Sequence, residues 1–229
     1  MTKHFLNNLL LPDGGPHSLS VAISARSGSG KTTLITKLIE DALKLESFNE
    51  TRFIYVSVKM EHYFGEGITP TSSLNKLVKS LNKNRVGIFY PNDPAEYENQ
   101  VDQLIETVFN LSEGNSETNF CVIVDDCNIL GGFDNRGNPS PSMKKAIIAG
   151  RSKRIKLIPI THRLANLPRL FNGNLSGLLL MNMSMMDAEY GQKIYGLELE
   201  TLIEELDDFK WAFVDLIGLN INRFNPIEL

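Results

Sequence analysis

An α/β fold, with a mostly parallel sheet and helices on both faces, is what this sequence predicts, and three observations carry the prediction. Short runs of apolar and β-branched residues alternate along the chain with stretches of helical period. The first of those runs passes directly into a small-residue loop and then a helix, over Leu19–Leu34 (LSVAISARSGSGKTTL). A later run, Phe120–Val124, ends in the pair Asp125-Asp126. Strands that alternate with helices pair in parallel, and the ligands of such sheets gather at the carboxyl ends of the strands.

Each element follows in order. Residues 1–18 close on the turn cluster Pro12-Asp13-Gly14-Gly15-Pro16. Leu19–Ile23 reads as a buried strand. The helix after the loop sets Leu34, Ile35, Leu38, Ile39, Ala42 and Leu43 on one face and runs to Leu45. Arg52–Val58 is a second strand and Lys59–Pro70 a loop. Ser72 or Ser73 caps a helix to Leu81, and Val86–Tyr90 is a third strand stopped by Pro91. Pro94 at a first-turn position, with Glu96 and Glu98 behind it, opens a helix through Val101, Leu104, Ile105, Val108 and Leu111. Phe120–Val124 is the fourth strand, Gly131–Pro141 a loop and Met143–Gly150 a helix. Ile155–Ile160 is the fifth strand, ending in Thr161-His162-Arg163, and Leu178–Met181 the sixth. From Asp187 the chain is acidic and helical, before a last β-like run at Trp211–Ile217. The expected organisation is a core over 1–182 and an acidic appendage over 183–229 packed on it.

The 229 residues suit one large domain, or one domain with an appendage; 42% are hydrophobic, enough for a real core. The net charge of −4 gives no global field toward nucleic acid, so any contact with DNA or RNA needs a local patch. Cys121 and Cys127 form neither a disulfide framework nor a metal-ligand cluster, and they suit a reducing, intracellular compartment. No apolar run approaches the ~18 residues of a membrane span, and Phe5–Leu11 lacks the pattern of a signal peptide.

The chemistry concentrates in three places. In Arg26-Ser27-Gly28-Ser29-Gly30-Lys31-Thr32-Thr33 the glycines let the backbone curl so that successive N–H groups face one concavity, aided by the positive end of the helix. Lys31 then reaches the β- and γ-phosphates of a nucleotide, and the Thr32 hydroxyl is placed to hold Mg²⁺. The pattern G-x-x-x-x-G-K-[ST] is met except at its first position, which is Ala25; the turn there must be right-handed or mildly strained. In the second place, Asp125 ends an apolar strand where a carboxylate would ligand Mg²⁺, and Asp126 stands where a general base or water-orienting group belongs. In the third, His162 stands at the same rim, able to bond a γ-phosphate or the attacking water. Lys144, Lys145, Arg151, Lys153, Arg154 and Lys156 form an acid-free basic stretch. It offers an arginine, Arg151 or Arg154, to a neighbouring subunit's nucleotide, or contacts for nucleic-acid phosphates. Arg85 is a further candidate for that arginine.

The order of phosphate loop, strand ending in Asp-Asp, and AGRSKRIKLIPITHRLANLP resembles the FtsK–HerA superfamily of DNA-pumping ATPases. There an arginine precedes a strand that ends in Thr-Gln-Arg-Pro. Here His162 stands in place of the glutamine, Asp126 where many members have Glu, and the proline is delayed to Pro168. The resemblance implies a RecA-like (ASCE) P-loop NTPase with ATP and Mg²⁺ as cofactors. It also implies a homo-oligomeric ring in which a neighbour's arginine completes each site. The bare length is similar to that of the genome-packaging NTPases of tailless icosahedral viruses with an internal membrane. That similarity implies double-stranded DNA as cargo, a procapsid as destination, and capsid or membrane proteins of the virion as further partners. The expected location is the host cytoplasm and the virion vertex. Two other readings share the loop: a small-molecule P-loop kinase, with Gly131–Pro141 and its Arg136 as a lid, and a non-hydrolysing nucleotide-binding assembly factor.

Overall fold

The computed structural model describes residues 3–12, 20–59, 64, 67–115, 117–130, 139–206 and 210–224. The turn cluster at 13–16 and most of the Gly131–Pro141 loop, Arg136 included, lie outside them.

In chain order the elements are α1 (Lys3–Leu10), β1 (Val21–Ala25), α2 (Lys31–Leu43), β2 (Thr51–Val56), α3 (Leu74–Asn84), β3 (Val86–Phe89), α4 (Tyr97–Gly114) and β4 (Asn119–Val124). They continue with α5 (Cys127–Leu130), α6 (Pro141–Ala149), β5 (Ile155–Thr161), α7 (Arg169–Asn172), β6 (Gly177–Met181), α8 (Met185–Tyr195), α9 (Leu202–Glu205), β7 (Trp211–Asp215) and β8 (Asn220–Phe224).

All eight strands form one sheet in the order β3-β2-β4-β5-β1-β6-β7-β8. From β3 to β6 every pairing is parallel; β7 and β8 add an antiparallel hairpin at one edge. The fold is therefore a mixed, mostly parallel α/β sheet. Alternate strand residues feed two apolar layers, as the period of two demands. Val21 and Ile23 of β1 meet Leu34, Ile35, Leu38 and Ile39 of α2 and the leucines of α1 on one face. Ala22, with Ile54 and Val56 of β2, meets α3, α4, α6 and α8 on the other. The segment beyond 182 continues this architecture, since β7 pairs with β6 and Ala188, Leu199 and Leu202 join the second layer.

Four local departures from the expected elements have simple causes. α2 stops at Leu43 because Leu45 is extended and caps a 3-10 turn at Glu46–Phe48. Pro94 does not open α4: Asp93 accepts from the amides of Ala95 and Glu96 in a turn, and the helix starts at Tyr97. α1 carries three buried leucines, a signal too short to read as a helix before the fold is known. β8 is an edge strand with exposed and half-buried positions only, so it has no apolar run; Phe224 stacks on Trp211 with ring centroids 3.9 Å apart.

Candidate active site

The phosphate loop joins β1 to α2. Ala25 is the last residue of β1 and lies flat in the strand, so the missing first glycine costs no strain. The left-handed positions fall instead on Gly28 (φ 78°) and Gly30 (φ 84°), where the absence of Cβ is needed. Ser29 ties the turn together, its amide and its hydroxyl both donating to Arg26 O (3.3 and 2.7 Å). Gly30 is the N-cap of α2 with no side-chain acceptor, and the first helical bond runs from Leu34 N to Gly30 O (2.9 Å). The amides of Lys31, Thr32 and Thr33 thus precede the helical ladder at the positive end of the dipole, as an anion site requires. Arg26, Ser27 and Gly28 are exposed; Gly30, Lys31, Thr32 and Thr33 are half-buried.

β5 lies between β4 and β1 in the sheet, so the end of β5 stands between the acid pair and the loop. His162, one residue past β5, bridges them. Its Nδ1 is 3.3 Å from Lys31 Nζ, and its Nε2 is 2.5 Å from Asp126 Oδ1. That carboxylate oxygen is buried and receives no aligned hydrogen bond, so His162 approaches it closely without a hydrogen bond of good geometry. Asp126 itself sits at φ 47°, the left-handed region that Asp and Asn tolerate best among residues with a Cβ.

Asp125 is buried, and both its oxygens accept: Oδ2 from Tyr55 Oη (2.9 Å) and Oδ1 from the Asp126 amide (3.1 Å). Burial, and then the neighbouring Asp126 charge, push its carboxyl above the usual carboxylate range, while the Tyr55 hydroxyl and Lys31 pull it back. Among the described residues no three His, Cys, Asp or Glu side chains cluster as a metal cage. Mg²⁺ at nucleotides takes one or two protein oxygens and the phosphates. Asp125, Asp126 and the Thr32 hydroxyl are hard oxygens of the kind the ion takes, and the buried Asp126 Oδ1 accepts no aligned hydrogen bond, so the residue types fit the ion. When bound it would offset the charge of the phosphates and of the acid pair.

The basic residues divide. Arg85 is engaged within its own chain: its guanidinium donates to Leu43 O (3.0 Å) and Phe48 O (3.2 Å), and its backbone at φ 60° ends α3. It holds the C-terminal end of α2 and its following turn, on the amino edge of the sheet. Lys156 is likewise no surface cation: it is buried in β5 and donates to Asn8 O at the end of α1 (3.4 Å). Lys153 pairs with Glu113 (3.0 Å) and Lys145 lies over the Phe109 ring (4.2 Å to the centroid). Arg151 and Lys144 are exposed and Arg154 half-buried. Arg151 and Arg154 precede β5, at the opposite end of that strand from His162.

Three contributors escaped the sequence reading. Tyr55 was legible in principle, because a tyrosine inside the apolar run RFIYVSV needs a hydroxyl partner once buried. Asn182 accepts from the loop amide of Arg26 (3.3 Å), a backbone contact with no sequence signature. Asp187 falls in the capping pattern Ser184-x-x-Asp187, which is readable.

Comparison with known proteins gives structural relatives alone. No family profile and no curated protein sequence matches the chain. The genome packaging NTPase B204 of Sulfolobus turreted icosahedral virus 2, in complex with ATPγS, superposes with a TM-score of 0.70 at 18% identity. That match covers 91% of this chain and 97% of that one. VirB4 of Thermoanaerobacter pseudethanolicus gives 0.62 at 12% identity, over 92% and 89% of the two chains. The cytoplasmic domain of the type VII secretion ATPase EccC of Thermomonospora curvata gives 0.56 at 16% identity, over 90% of this chain and 25% of that one. The fold of this chain is the P-loop ATPase fold of these neighbours.

Proposed function

We propose that this chain hydrolyses ATP and uses the energy to drive double-stranded DNA into a viral procapsid. The observation that carries the hydrolytic half is the bridge Lys31–His162–Asp126, made possible by β5 lying between the loop strand and the acid strand. The loop amides and Lys31 bind the phosphates, Asp126 takes up or orients the proton of the attacking water, and His162 senses whether the γ-phosphate is present. Mere binding would need no base, which argues against an assembly factor.

The DNA half rests on likeness over nearly the whole length of a packaging NTPase, together with the FtsK–HerA pattern of the sequence. Nucleotide binding is supported by the relative's complex with an ATP analogue. Arg151 and Arg154 precede β5, at the opposite end of that strand from His162, so they are assigned to a neighbour's nucleotide in a homo-oligomeric ring. Loss of the γ-phosphate then releases the His162 segment. Lys144, exposed on α6, and Lys145 are assigned to DNA phosphates. The assembly is assigned to the host cytoplasm and the virion vertex, with capsid or membrane proteins as partners. Among the described residues no helix is long and apolar enough to cross a membrane.

The test is displacement of a triplex-forming third strand from double-stranded DNA. A translocase displaces it in the presence of ATP and not of ATPγS, and reversing Lys144 and Lys145 to Glu weakens displacement. A small-molecule kinase leaves the third strand in place under all conditions.

A further inference from the structure

The N-terminal end of α8 is held in an unusual way. Ser184 is its N-cap, and the Ser184 hydroxyl accepts from the Asp187 amide (3.2 Å). In a capping box the acid at this third position reaches back to the N-cap amide. Asp187 does something else. Its Oδ2 accepts from Ser184 Oγ (2.5 Å), while Oδ1 reaches out of the helix to accept from the Leu164 amide (3.1 Å). Asp187 is 4% exposed, and burial of a carboxylate is tolerated only when it is hydrogen-bonded.

Leu164 lies two residues past His162. Upstream of it Thr161 closes a tight turn, its hydroxyl donating to Arg163 O (2.9 Å) and accepting from Arg163 N (3.3 Å). The segment that carries His162 is therefore fixed at its start by Thr161 in β5 and at its end by Asp187. On the other side, the loop residue Arg26 donates to Asn182 O (3.3 Å), just ahead of α8. Residues 182–187 thus touch both the phosphate loop and the His162 segment.

We propose that Asp187 is a positioning residue: through Leu164 it holds the His162 ring in register between Lys31 and Asp126. The proposal rests on the hydrolytic reading of His162. It separates two roles of one carboxylate, capping a helix and placing a ring, and the two answer differently to substitution.

The experiment compares Asp187→Leu, Asp187→Asn and Ser184→Ala in steady-state ATP hydrolysis, ATPγS binding and thermal melts. Asp187→Leu lowers kcat about tenfold or more, with KM for ATP and affinity for ATPγS within about threefold, as expected when a reacting group is misplaced. Asp187→Asn keeps an acceptor for Leu164 and retains about half the activity or more. Ser184→Ala lowers Tm and leaves kcat unchanged. If Asp187→Leu does not fold, Asp187→Ser replaces it, since serine stays polar at the cap but is too short for Leu164. A folded Asp187→Leu or Asp187→Ser with wild-type kcat overturns the proposal, as does an equal loss in Ser184→Ala. If the wild-type chain binds ATPγS but turns over no ATP, the hydrolytic reading fails. The His162 ring ¹⁵N resonances, identified by their loss in His162→Gln, then decide the positioning role alone. They shift in the Asp187 variant and not in Ser184→Ala if the ring is placed by Asp187; no shift overturns it.

Discussion

His162 Nε2 approaches Asp126 Oδ1 to 2.5 Å while its Nδ1 faces Lys31 Nζ at 3.3 Å, so one ring spans the gap between the loop cation and the acid. Neither residue would meet the other without β5 between β4 and β1. The bridge makes the histidine a competitor for the lysine: phosphates that draw Lys31 toward themselves weaken its contact with Nδ1. His162→Ala is expected to leave ATPγS binding within about threefold and to lower turnover by about 10²-fold, the scale of losing a group that positions the reacting atoms. Steady-state kinetics beside a binding titration check it; equal losses in KM and kcat would make the ring a binding group instead.

Tyr55 is expected to matter through Asp125. Tyr55→Phe removes the hydroxyl that donates to a buried carboxylate, at a cost of about 1–3 kcal/mol, and lets the Asp125 carboxyl rise further. Urea unfolding reads the first effect. A higher Mg²⁺ requirement for nucleotide binding reads the second, because a carboxyl that holds its proton more tightly is a poorer cation ligand.

The arginines separate by environment. Arg85→Ala deprives Leu43 O and Phe48 O of their donor and is expected to destabilise by about 1–3 kcal/mol with specific activity retained. Arg151→Ala, exposed and free of that task, is expected to leave Tm unchanged and to abolish turnover in the assembled protein. Mixing Arg151→Ala with Lys31→Ala subunits then restores activity only if the arginine acts on a neighbour.

Lys156 sets a pH dependence of stability. Burial, with the nearby Arg151 charge adding to it, lowers its ammonium to about 8. Between that value and about 10.4 for the unfolded chain, the unfolded state binds the additional proton, so the contribution of this residue to stability rises with pH across that window. Chemical denaturation at pH 7 and 9 checks it: the wild-type chain gains stability relative to Lys156→Met on going to pH 9, and a constant difference contradicts it.

Much of the sheet was legible because parallel strands buried on both faces leave continuous apolar runs, as in RFIYVSV and FCVIVDD, and because the loop carries its chemistry in consecutive residues. The order of the strands was not, since nothing in a run such as IKLIPIT says which neighbours it pairs with. For that reason Lys31, Asp126 and His162 could be set at one rim, but not the direct contacts of the His162 ring with both partners. The basic stretch misled for a related reason. Charge along a chain does not tell whether a side chain ends in water, as at Lys144, or inside a sheet beside a helix end, as at Lys156. Arg85 lay in the same blind spot, its partners being carbonyls that no side-chain pattern announces.

The most direct measurement is steady-state ATP hydrolysis with and without double-stranded DNA, by the wild-type chain and by Asp126→Asn. Asparagine tolerates the left-handed backbone of this position, so the variant is expected to melt with the wild type and to bind ATPγS. Hydrolysis is expected to rise with DNA and to fall about 10²–10⁴-fold in the variant. Hydrolysis indifferent to DNA, or an Asp126→Asn chain as active as the wild type, would contradict it.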